Sequence, residues 1–157
     1  MNTVLDHLAA ELRLDAPGGE PLRLAFGYAC VLRVQHLLEE ADVVACLRGL
    51  GAYLDGTLDR AGLDWLAAEA ARLANQHRGS RSIDGCGHAA VSASYAVANA
   101  LAGKALQAAD YAAYAVVYGQ GGYGAVAEPQ AFEPEFAWQV DCLTRLSSST
   151  AAPLNRS

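Results

Sequence analysis

The residues with the clearest chemical potential are Cys86 and His88, which flank Gly87 at what reads as the start of a helix. A helix N-terminus stabilises a thiolate, so the pair raises two chemistries, a cysteine nucleophile and a zinc ligand set. Neither is completed nearby. His88 stands too close along the chain to approach Cys86 as a base, no third orienting group accompanies them, and no Gly-x-Ser-x-Gly elbow offers a serine instead. The other histidines, His7, His36 and His77, fall on different expected elements without paired ligand spacing. The expectation is no catalytic set, no metal and no cofactor, with Cys86-Gly87-His88 serving as a helix-capping loop.

A second string, Gly119-x-Gly121-x-x-Gly124, matches the dinucleotide fingerprint letter for letter. Its setting is wrong. That fingerprint needs a strand before it and a helix N-terminus after it to present amide protons to a pyrophosphate. Here a helical pattern precedes and Ala125-Val126-Ala127-Glu128-Pro129 follows, so a flexible interhelical loop is expected.

Binding offers more than catalysis. His88, Ser92, Tyr95 and Asn99 recur at spacings of four, three and four and so share one helix face, as a polar groove or a half-buried seam whose polar tips bond to neighbouring helices. Charge is also uneven. Between Lys104 and Arg145 there is no Lys or Arg, while Asp110, Glu128, Glu133, Glu135 and Asp141 all fall in that interval. If the last helix folds beside its predecessor, these carboxylates form an acidic surface with Tyr123 close by, suited to steering a basic protein. The alternative is a solvated acidic face with the tyrosines packed inward. A net charge of −6 over 157 residues argues against general affinity for nucleic acid or an anionic membrane.

These residues need a scaffold, and the pattern for one is helical throughout. Runs of alternating or β-branched residues are absent, and just over half the residues are apolar, enough for one domain with a sizeable core. Asn2 or Thr3 caps a first helix with Val4, Leu5, Leu8 and Leu12 at helical spacing. Pro21 opens a second helix with a stripe running to Leu38. Asp42 caps a third, in which Gly49 and Gly51 suggest close packing, and Thr57 caps a fourth. The run 76–82 is the clear interior loop. Segments 85–103 and 104–118, rich in alanine and hinged at Gly103, form a tight hairpin expected to be the best-packed contact in the molecule. Pro134 starts the last helix.

The expected architecture is an all-α bundle of six to seven helices over residues 1–146, with 147–157 as a flexible tail. Leu54-Asp55-Gly56-Thr57 and Leu101-Ala102-Gly103-Lys104, 47 residues apart (54 to 101), suggest two stacked helical hairpins. Cys30, Cys46 and Cys142 sit in apolar helical patterns and Cys86 beside them. Without a secretory leader pattern all four are expected reduced, in a cytoplasmic protein with no membrane span.

The order Cys46 and Arg48, Leu54-x-Gly56, Gly87-His88-Ala89 through Ser92-Ala93 to Ala96, Tyr111 with Ala112-Ala113-Tyr114-Ala115, and Glu135-x-x-Trp138-Gln139 with Leu143 resembles a family of small, helical bacterial immunity proteins, the immunity-five-like group. The resemblance covers roughly residues 26–146. It implies a cytosolic, non-enzymatic protein that binds and neutralises a cognate polymorphic toxin, and it supplies no catalytic residues. Where members often carry a second histidine six residues after the Gly-His pair, this chain has Ser94. The competing expectations are a structural protein whose alanine-rich faces form a homodimer and a thiol-dependent enzyme at Cys86.

Overall fold

The computed structural model describes residues 2–77 and 86–154. Among the described residues there are seven α-helices and no strand: α1 (Thr3–Glu11), α2 (Glu20–Leu32), α3 (Ala41–Leu54), α4 (Arg60–Gln76), α5 (Cys86–Leu101), α6 (Ala105–Val126) and α7 (Glu133–Leu154). Short 3-10 turns at Pro17–Gly19, Gln35–Leu37 and Pro129–Phe132 join some of them. This is the expected all-α bundle. The interior loop lies mostly outside the described residues, as does Gly85.

The apolar stripes meet in one core that draws on all seven helices, from Leu5 of α1 to Leu143 of α7. α5 and α6 make the most extensive helix–helix contact, as their small residues require: Ala93, Ala96 and Ala100 face Ala105, Ala108, Ala112 and Ala115 in the same core. Glycine sets another close approach. A Cβ at Gly27 of α2 would meet the Ala100 backbone of α5 at 3.3 Å. Gly49 and Gly51 likewise sit against Leu66 of α4 and Tyr28 of α2, the close packing they suggest.

The echo between Leu54 and Leu101 has a local meaning. Gly56 and Gly103 both adopt positive φ (+88° and +76°), and at each the following residue donates its N–H to a helical carbonyl, Thr57 to Ala52 and Lys104 to Asn99. Both are Schellman caps, which close the hairpins α3–α4 and α5–α6; the two hairpins pack together through α4 and α5. α1 ends the same way, with Leu14 donating to Ala9, but there the left-handed position is held by Arg13 at φ 53°.

Several boundaries differ from expectation. Asn2 does cap α1, accepting from the Leu5 N–H at 3.1 Å. Thr57 does not cap α4: its hydroxyl donates to Ala52 and Asp55 at the end of α3, and Asp59 accepts from the Gly62 N–H instead. Asp42 lies within the first turn of α3, next to the favourable positive end, with Glu40 as the N-cap residue. α2 stops at Leu32; the apolar stripe runs on past it because Val34, Leu37 and Leu38 still pack on the core through the 3-10 turn. The glycine-rich stretch after Tyr118 is a continuation of α6, broken only at Gly122 (φ 68°, ψ −156°), since each of the other glycines can remain helical. α7 continues as helix through 147–154, where a tail is expected.

Candidate functional site

The acidic residues of the C-terminal third do not form one surface. Glu133, in the first turn of α7, and Asp141, two turns further on, line a shallow groove of about 700 Å³ between the start of α1 and the outer face of α7. Its apolar lining includes Val4, 62% exposed, with Phe136 and Val140. Asp141 accepts from Arg145 at 3.1 Å, one turn along the same helix. Glu128 is exposed just before the 3-10 turn that leads into α7.

Glu135 is the clear correction. It stands two residues from Glu133, on the other side of the helix, and is only 3% exposed. Arg33 at the end of α2 donates to both of its carboxylate oxygens at 2.8 Å and lies over the Trp138 ring at 4.1 Å. The carboxylate holds the Arg33 guanidinium more firmly protonated than usual, and the pair clamps α7 to α2. Gln139 is fully buried and donates to the Ala109 carbonyl of α6 at 2.8 Å, while Asn2 donates to the Phe136 carbonyl and to Gln139. Thus Glu135-x-x-Trp138-Gln139 fastens the last helix in place. Asp110 is half-buried on α6, and burial, with the Asp6 carboxylate adding to it, pushes its carboxyl above the ordinary range.

The polar stripe on α5 resolves into an aromatic seam with α6. His88 is exposed and stacks on Tyr118, centroids 5.3 Å apart and planes inclined 23°. Tyr95 stacks on Tyr111 at 5.2 Å and 22°, and its hydroxyl donates to Asn75 of α4 at 3.0 Å. Tyr123, past the break in α6, sets its edge against both His88 and Tyr118. Asn99 donates to the Tyr95 carbonyl of its own helix at 2.8 Å. Ser92 is half-buried between the two stacks. Of the four polar tips Tyr95 reaches a neighbouring helix and Asn99 bonds within its own, and rings dominate the surface: Tyr111, Tyr114 and Tyr123 are 38%, 40% and 49% exposed.

The tyrosine partners of this stripe carry a readable signal. The stacked pairs are mirror positions about Gly103, 88 with 118 and 95 with 111, each summing to 206. Reflecting α5 through that glycine turn pairs each ring with its neighbour, and by the same register Ser92 falls opposite Tyr114.

Other chemistry is weakly supplied. Burial pushes the thiols of Cys30, Cys46 and Cys142 up, with Cys30 raised furthest, so these are poor thiolates at neutral pH. The Cys86 side chain lies outside the described residues. Among the described residues no three acidic, histidine or cysteine side chains gather as a metal site, and no helix is long and apolar enough to cross a membrane. Ser94, which takes the second histidine's place in the resemblance, is 1% exposed and its hydroxyl finds no hydrogen-bond partner among the described residues. Compared with family models, curated proteins and solved structures, the chain matches none.

Proposed function

We propose that this chain is a non-enzymatic immunity protein of the cytoplasm that binds and neutralises a basic bacterial toxin, engaging it through the groove between α1 and α7. The observation carrying this reading is that groove: exposed Glu133 and Asp141 flank an apolar lining of Val4, Phe136 and Val140. Carboxylates around an apolar centre steer a cationic protein and then reward its docking, whereas the same carboxylates repel nucleic acid. Self-association through alanine faces has less support, because the alanines of α5 and α6 are largely consumed within the chain's own core.

The experiment is affinity capture from the source organism's lysate at low and moderate salt, followed by co-expression of any retained protein with this chain. The expected result is one basic protein that arrests growth alone, is tolerated in the presence of this chain, and is released by Glu133→Gln with Asp141→Asn. Retention indifferent to that double variant, or co-expression without protection, overturns the proposal. Glu135 is left unaltered because its loss acts on the fold.

A further inference from the structure

The α5–α6 seam is joined by ring contacts to one residue of the acidic groove. Phe136, which lines it, packs on Phe132 at 5.5 Å; Phe132 meets Tyr114 edge-on at 5.1 Å, and Tyr114 lies 6.3 Å from Tyr118. Ring contacts therefore link the groove, through buried Phe132 of the 3-10 turn Pro129–Phe132, to the α5–α6 seam. On that seam the His88–Tyr118 and Tyr95–Tyr111 stacks are seven residues apart along each helix, about 10 Å at 1.5 Å per residue. Between them the register sets the short Ser92 of α5 opposite the exposed ring of Tyr114 on α6.

We infer that this seam is the anchoring half of the docking surface, and that it takes arginine side chains from an extended segment of a basic partner. This rests on the proposed function and names the chemistry it selects. Aromatic faces attract a guanidinium through the ring quadrupole, and arginine's flat, weakly hydrated head stacks on them where a lysine ammonium keeps its water. Carboxylates lie beside the seam's Tyr114 end: Asp110 is one turn before Tyr114 on α6, and exposed Glu128 precedes the turn whose Phe132 meets that ring. Tyr111, Tyr114 and Tyr123 are exposed, so their rings and hydroxyls face outward to a partner. The acidic groove draws the segment in, and the rings hold it.

The test uses a synthetic peptide of alternating arginine and serine, with lysine and glutamine counterparts, titrated into the intact chain while ring signals are followed by NMR. The arginine peptide is expected to move the signals of Tyr111, Tyr114 and His88, and to bind about tenfold more tightly than the lysine peptide. Tyr111→Ala with Tyr114→Ala should weaken it about tenfold, whereas Tyr111→Phe with Tyr114→Phe should retain most of the affinity. Circular dichroism of each variant checks folding, and Ser92→Phe, which sets a bulky ring between the stacks without removing one, provides an independent block. If the peptide binds but responds only to Glu133→Gln with Asp141→Asn, the seam inference is overturned and the acidic-groove reading stands. If no arginine peptide binds at low salt, both fail.

Discussion

Arg33 and Glu135 are joined edge to edge, Nε to Oε2 and Nη2 to Oε1, both at 2.8 Å, although 102 residues separate them. The carboxylate is buried and the guanidinium is 39% exposed, so loss of Arg33 strands the charge that cannot reach water. Arg33→Ala should cost about 3 kcal/mol, and Glu135→Ala less, about 2 kcal/mol, because Arg33 can turn to solvent. Urea denaturation measures both. Equal effects would overturn the asymmetry, and effects within about 0.5 kcal/mol, as at ordinary surface sites, would show that the clamp is not what holds α7 to α2.

Arg13 occupies the left-handed position of its helix cap where Gly56 and Gly103 serve the other two. Arg13→Gly relieves the Cβ clash but loosens the unfolded chain, for a net gain of about 0.5–1 kcal/mol. Gly103→Ala should lose about 1 kcal/mol by the converse. Thermal melts of the two variants should shift in opposite directions.

Asp110 links stability to pH. Its folded carboxyl is raised by burial, so across the window between the ordinary carboxylate range and that raised value the folded state holds more protons than the unfolded one. Its contribution to stability therefore falls as pH rises through the window, and the full penalty is present above it. Asp110→Asn should raise the denaturation midpoint at pH 7, and the advantage should vanish once both states are protonated in acid. An advantage that persists unchanged in acid would assign the effect to packing.

Ser94 buries a hydroxyl that has no hydrogen-bond partner among the described residues. Ser94→Ala removes the desolvation penalty at little cost in volume and should stabilise the chain by about 1 kcal/mol. Destabilisation in urea would mean that the hydroxyl is satisfied in solution.

The buried thiols of Cys30, Cys46 and Cys142 should react with an aromatic disulfide reagent at pH 8 only as fast as the helices open, at least about a thousandfold slower than in denaturant. Mass spectrometry of the labelled peptides identifies which sites respond, and fast native labelling at any of the three would contradict its burial.

The helical class and the α5–α6 hairpin were legible because small residues and a glycine hinge speak through local spacing. The fate of Glu133 and Glu135 was not: both suit the first turn of a helix, and only a guanidinium far away in sequence decides that one turns inward. Thr57 and Asp59 were equally ambiguous as caps, since Thr57 is claimed by the helix before it. The aromatic partners of His88 and Tyr95 lay within reach of a single operation, reflection about Gly103, but a helix read one face at a time does not pair with its neighbour.

The turn at Gly103 also has a kinetic meaning. It brings α5 against α6 with almost no intervening chain, so their contact closes at minimal loop entropy. The best-packed pair in the molecule is thus also the one that can assemble earliest, and the more distant α2–α7 clasp closes onto a hairpin already formed. Substitutions along the alanine face of that hairpin should slow refolding, while loss of the Arg33–Glu135 clasp should chiefly hasten unfolding.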